Sequence, residues 1–215
     1  MTINNAKIPT SVGIIDIGIS NIASIERTLS EIVDEVVIVR NGSQLTSIDR
    51  LILPGVGAFP SAMKRLSASG LVADIHEFVR VLRRPLLGIC LGMQLLASEG
   101  EEHELTAGLD LVKGRVRRLK ESDGVRVPHV GWNSVSIEMP NNLFNGLADG
   151  HDFYFVHSYV FDVDNKDERI ATTVNGERFT AAVLSGNVVG VQFHPEKSSK
   201  IGRMLLENFC EWTPC

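Results

Sequence analysis

One cysteine of this chain stands between glycines in a setting suited to chemistry, within Pro85–Ser98 (PLLGICLGMQLLAS). The apolar Leu86-Leu87 leads into Gly88-Ile89-Cys90-Leu91-Gly92, and the helix formers Met93 to Ala97 follow. That is the strand–turn–helix order of a nucleophile elbow, with cysteine where serine is usual. The nucleophile of such a turn sits in strained backbone, and side chains at Gly88 or Gly92 would strike strand or helix. A thiolate there would face unpaired N–H groups at a helix start, which favours the ionised sulfur. The same stretch also reads as a buried cysteine in an ordinary strand-to-helix turn.

Gly190–Glu196 (GVQFHPE) holds a second reactive group. Pro195 lacks an N–H and pushes His194 into extended geometry, so a strand stops here and presents its end. Residues i and i+2 of an extended segment share a face, which puts Glu196 beside His194. Glu196 could then hold one ring nitrogen and leave the other as a base towards Cys90. A structural histidine at a strand end is the alternative. A third stretch, Leu53–Gly57 (LPGVG), follows another strand. Catalytic loops of parallel sheets gather at the C-terminal strand ends, so this loop would lie beside Cys90. Backbone N–H groups of Val56, Gly57 and Leu91 would be donors for an oxyanion. A plain turn needing glycine, or a weak phosphate loop, fits the same residues.

The elements that must position these groups read as an α/β fold. Val12–Ile17, Val36–Val39, Leu51–Leu53 and the run into Cys90 are short apolar strands. Helical spacing separates them: Ile22, Ile25, Leu29 and Ile32 after Asn21 as N-cap, then Leu71, Ile75, Phe78 and Leu82. Strands alternating with helices over residues 11–98 indicate a doubly wound, mostly parallel sheet. Beyond Gly100, strand-like segments dominate: Arg115–Leu119, Asp152–Phe161, Ile170–Val174, Phe179–Leu184 and Val188–Phe193. Asn175-Gly176 and Ser185-Gly186-Asn187 are hairpin signals, so an antiparallel extension of the same sheet is expected. A last helix starts near Ser198. The acidic run Glu99, Glu101, Glu102 and Glu104 reads as a solvated loop. Arg115, Arg117, Arg118 and Lys120 read as a solvated basic face or an added interface.

With 215 residues and 44% hydrophobic side chains, the chain can fill one core. We expect a tail over residues 1–10 and one domain over 11–212. A net charge of −5 points to neither nucleic acid nor a membrane surface. No apolar run nears the roughly 18–20 residues of a spanning helix. Three cysteines, odd in number and without CxxC spacing, argue against a disulfide framework or a zinc site and fit a reducing cytoplasm.

GICLGMQLL, LPGVG, YFVHSY and GVQFHPE, in this chain and together, resemble the class I glutamine amidotransferases. LPGVG with Pro128–Asn133 (PHVGWN) is most similar to the branch serving imidazole glycerol phosphate synthesis. The resemblance runs from about Val12 to Phe209. It implies glutamine hydrolysis through a thioester, with Cys90 as nucleophile, His194 as base then acid, and Glu196 as orienter. It also implies that Gly55, Gln94 and the segment with His157, Ser158 and Tyr159 hold the amino-acid end of glutamine; Gln94, one helical turn after Cys90, can face the same pocket. For the side chains of His157 and Tyr159, a half-buried strand with polar residues outward is an equal reading. The implied partner is a cyclase of (β/α)8-barrel type in a heterodimer that receives ammonia, with no cofactor and no metal. Asn21, His129, Trp132 and Asn133, read as exposed loop residues, would line the docking face. Alternatives are a paralogue feeding another amidation, such as that of a surface-polysaccharide sugar, a cysteine hydrolase or peptidase, or a non-catalytic regulatory module.

Overall fold

The computed structural model describes residues 7–121 and 125–214. Its first half alternates strand and helix: β1 (Ile8–Ile15), α1 (Ile22–Ser30), β2 (Val33–Val39), β3 (Arg50–Gly55), α2 (Phe59–Ala68), α3 (Leu71–His76), β4 (Leu86–Cys90) and α4 (Leu91–Leu95). Strands follow: β5 (Glu99–Gly100), β6 (Thr106–Ala107), β7 (Gly114–Arg118), β8 (His129–Ile137), β9 (His151–His157), β10 (Tyr159–Val163), β11 (Arg169–Asn175), β12 (Glu177–Ser185) and β13 (Val188–Val191). Helix α5 (Ser199–Glu211) closes the chain.

Nine strands form one sheet in the order β2-β1-β3-β4-β13-β12-β11-β8-β9. Its first five are mutually parallel and the rest pair antiparallel. Strand β4 lies between two parallel neighbours and every one of its residues is buried, as its unbroken apolar run requires. Ile25 and Leu29 of α1 and Leu205, Leu206 and Phe209 of α5 pack on one face. Phe59, Met63 and Leu66 of α2, with Leu71 and Ile75 of α3, cover the other. No helix among the described residues is long and apolar enough to cross a membrane.

Several expectations change. Strand β1 begins at Ile8, whose N–H donates to the Ile32 carbonyl at 2.8 Å, so residues 8–10 are strand and not tail. Residues 1–6 of that tail, and Cys215, lie outside the described residues. Helix α2 is an addition to the expected elements, although Phe59, Ala62, Met63 and Leu66 keep helical spacing behind Pro60 in its first turn. Asp152–Phe161 is two strands. Strand β9 ends at His157, the chain turns at Ser158, and β10 joins a second sheet ordered β10-β7-β5-β6. Strand β7 therefore leaves the main sheet, because its partners β10 and β5 lie elsewhere. Its basic residues are paired: Arg115 with Glu99 and Glu101, Arg117 with Asp162 and with Glu177 of β12, Arg118 with Glu121. Arg117 thus ties the small sheet to the large one.

Candidate active site

Cys90 ends β4 with φ +55° and ψ −111°, a left-handed backbone that non-glycine residues seldom hold. The flanking glycines are sterically required. A Cβ on Gly92 would lie 1.7 Å from the Leu53 carbonyl oxygen, and one on Gly88 would lie 2.7 Å from the Gly92 carbonyl oxygen. Both obstacles are backbone. Helix α4 is only five residues long, because Leu96 and Ala97 turn back onto the Met93 and Gln94 carbonyls. So short a helix supplies little macrodipole, and the sulfur's partner is a side chain.

That partner is His194. It follows β13, the parallel neighbour of β4, and its Nδ1 meets Glu196 Oε1 at 2.8 Å. Pro195–Lys197 is a 3-10 turn, so the contact spans two residues through a turn and not along an extended face. Glu196 fixes the proton on Nδ1, and Nε2, buried, has no hydrogen-bond partner among the described residues. Burial lowers the His194 pKa, but Cys90 and then Glu196 outweigh it and raise it to about 9. The backbone is held as firmly. His194 N–H donates to the Tyr154 carbonyl (2.9 Å), Tyr154 N–H to Ser198 Oγ (3.0 Å), and Ser198 Oγ to the His194 carbonyl (2.6 Å). Ser198 is not legible in the sequence, where a serine in an SSK tripeptide carries no signal.

A cavity of about 200 Å3 opens over Cys90, lined by Val56, Gly57, Leu91, Gln94, Glu102, Ser158 and Tyr159 among others. A larger one, about 600 Å3, lies at the opposite strand ends around Arg50, Arg84 and Trp212, far from any nucleophile–base pair among the described residues. Glu102, expected to be solvated, instead faces the site, and its Oε2 accepts the Phe59 N–H at 2.7 Å. Only the fold of β5 beside α2 brings it there. Gln192, fully buried, also escapes sequence reasoning; its Nε2 donates to the Cys90 sulfur at 3.8 Å and its Oε1 accepts from Gln94 Nε2 at 3.0 Å. Gln94 Nε2 donates to the Tyr159 carbonyl too, so only the oxygen of that amide is left for a ligand.

Four expected roles need correction. Val56 N–H donates to the Ile19 carbonyl at 2.9 Å, so it is turned away from the cavity and is no oxyanion donor in this conformation. Gly55 pairs with Cys90 across β3 and β4 and borders a separate small cavity with Asn21, His194 and Glu196. His157 lines the main cavity, yet both ring nitrogens are bonded inside the protein, to the Tyr159 carbonyl and to His129. His129 and Asn133 are not loop residues: His129–Ile137 is a strand, and alternation turns them inward while Val130 and Trp132 face out. His129 is 7% exposed and Trp132 is 55% exposed. Asn21 is exposed at the start of α1. Trp132 sits edge-on to Tyr154 of β9, and Val130 pairs with Val156 in the same register. Together they make an apolar outer ladder over the cavity wall.

The chain matches the family model "Glutamine amidotransferase class-I" over residues 13–212. It is 46% identical over 200 residues to "Imidazole glycerol phosphate synthase subunit HisH 2" of Vibrio vulnificus, covering 93% of each chain. It is equally identical to "Imidazole glycerol phosphate synthase subunit HisH" of Moorella thermoacetica, covering 93% of this chain and 94% of that one. Among solved structures, a glutamine amidotransferase from Thermotoga maritima aligns with a TM-score of 0.62 and 21% identity, over 94% of this chain and 83% of that one. At that identity the likeness speaks for the fold alone.

Proposed function

The chain belongs to the class I glutamine amidotransferases, and from that membership we infer that it is the glutaminase subunit of an imidazole glycerol phosphate synthase, serving histidine biosynthesis. It hydrolyses glutamine to glutamate and ammonia. One observation carries the chemistry: a cysteine in left-handed backbone beneath an amino-acid-sized cavity, acting on a buried histidine that a carboxylate orients. We assign the catalytic domain to residues 8–212, β1 included, and the site of action to the cytoplasm.

Cys90, as thiolate, attacks the side-chain amide carbon of glutamine, and the carbonyl oxygen becomes an oxyanion. Leu91 N–H, at the start of α4, has no intrahelical partner and is one donor to it; the Gly57 backbone is the other. Val56 N–H would join them only if the Gly55–Val56 peptide rotated away from Ile19. His194, protonated opposite the thiolate, gives its proton to the departing ammonia. It then takes a proton from the water that opens the Cys90 thioester, and glutamate leaves. On the cavity lining, the Glu102 carboxylate and the Gln94 amide oxygen are acceptors suited to the α-ammonium of glutamine.

Ammonium ion is not a nucleophile, so a synthase gains when neutral ammonia passes directly to its acceptor. We place the partner, a (β/α)8-barrel cyclase, on the Trp132–Tyr154 and Val130–Val156 ladder and on the exposed Asn21. The test is a reconstituted complex assayed for glutamate release and for product formed from glutamine or from added ammonium. Cys90→Ser should lose glutamine-dependent synthesis by several orders of magnitude while ammonium-dependent synthesis persists. Normal glutamine turnover in Cys90→Ala would sink the mechanism.

A further inference from the structure

Behind the cavity, two buried imidazoles and an amide form a chain of hydrogen bonds with only one possible direction. Asn133 Nδ2 donates to the Val174 carbonyl at 2.9 Å, and a carbonyl only accepts, so the nitrogen end of that amide is fixed. The same nitrogen lies 3.2 Å from His129 Nε2, which must therefore be an acceptor. His129 then carries its proton on Nδ1, 3.0 Å from His157 Nε2. At the other end, His157 Nδ1 lies 2.8 Å from the Tyr159 carbonyl and must donate. Both ends thus demand the same tautomer, Nδ1–H, on both rings. An added proton would set N–H against N–H.

The chain ends where catalysis begins. The Tyr159 carbonyl also receives Gln94 Nε2, whose second proton goes to Gln192 Oε1, and Gln192 Nε2 points at the Cys90 sulfur. We propose that Asn133, His129 and His157 are positioning residues for glutamine hydrolysis, a neutral one-way chain that holds the Tyr159 carbonyl and so orients the Gln94 and Gln192 amides toward substrate and sulfur. The surroundings suit a neutral chain. His129 lies against the rings of Phe155 and Phe179, and His157 against the same two. Burial pushes the His157 pKa down to about 3 against the Tyr159 carbonyl, which favours a proton there, and a positive charge on His129 or His194 opposes one further. Burial also lowers the pKa of His129.

The inference rests on the cavity being a glutamine site, and its test separates the two. Long-range 15N–1H spectra of the full chain at pH 7 should show the neutral Nδ1–H tautomer for both His129 and His157. In the complex with the cyclase, His129→Phe and His157→Phe should raise the glutamine KM about tenfold with a smaller change in kcat. His157→Gln, which can donate to Tyr159 and accept from His129, should restore KM to within about twofold. Should the phenylalanine variants not fold, Asn133→Asp decides, since its acceptor oxygen requires one added proton on the pair of rings and an imidazolium signal from His129 or His157 at pH 7. An Nε2–H tautomer or an imidazolium on either wild-type ring overturns the proposal. So do phenylalanine variants with wild-type KM, or a folded His157→Gln as impaired as His157→Phe. Wild-type complex that releases no glutamate overturns the glutamine reading along with it.

Discussion

In the proposed mechanism a single imidazole carries the chemistry, and its charge state is set by burial against two neighbours. The His194 pKa is raised to about 9, so the ring keeps its proton through neutral pH and loses it as pH climbs past that value. With the imidazolium as the proposed acid for departing ammonia, kcat/KM for glutamine should fall along an alkaline limb near pH 9. Glu196→Gln removes one of the groups that raise this pKa, so it should move the limb to lower pH and depress kcat with little change in KM. A pH–rate profile of both proteins checks it, and an unmoved limb would make Glu196 a spectator. Glu102 acts on binding instead. Glu102→Gln keeps an oxygen for the Phe59 N–H but loses the charge facing the ammonium, a contact of about 1.5–3 kcal/mol. The glutamine KM should rise roughly 10- to 100-fold with kcat nearly intact, measured by glutamate release.

At the scale of an element, the β4–α4 turn is a close backbone crossing with no slack. Gly92 approaches Leu53 of the neighbouring β3, where an added Cβ would lie 1.7 Å from a carbonyl oxygen that the sheet holds in place. Gly92→Ala should lower stability by about 3 kcal/mol, the upper end of what forced overpacking costs, and bring the urea midpoint down with it. Gly57→Ala is a useful contrast. Its Cβ meets nothing within 4 Å, but its φ of +103° disfavours any side chain, so the strain there is conformational and not steric.

For the whole molecule, the alternation of a single pair of strands sets the buried polar chain on one side of the sheet and the proposed docking ladder on the other. Along β8, His129 and Asn133 turn in to the polar chain behind the cavity while Val130 and Trp132 turn out. Trp132→Ala should weaken cyclase binding by roughly 1–4 kcal/mol, leave the glutaminase folded, and uncouple glutamate release from ammonia transfer. Titration calorimetry gives the first, and the ratio of glutamine- to ammonium-supported synthesis gives the last. Glutamine-dependent synthesis at the wild-type rate would put the docking face elsewhere.

The amino-acid sequence by itself determined what depends on near neighbours. Apolar runs and helical spacing announced the parallel half of the sheet. Gly88 and Gly92 marked the elbow, because a steric demand for glycine is local, and His194 and Glu196 meet within two residues. Tertiary structure decided the rest, because each remaining feature joins groups distant in the chain. Gln192 reaches Cys90 across 102 positions and Glu102 reaches Phe59 across 43. Strands β7 and β10 left the main sheet because they found each other, which no propensity along either segment encodes. HVGWN reads as an exposed loop because its glycine and polar residues look like one. Pairing with β9 made it a strand, and the period of two then buried His129 and exposed Trp132.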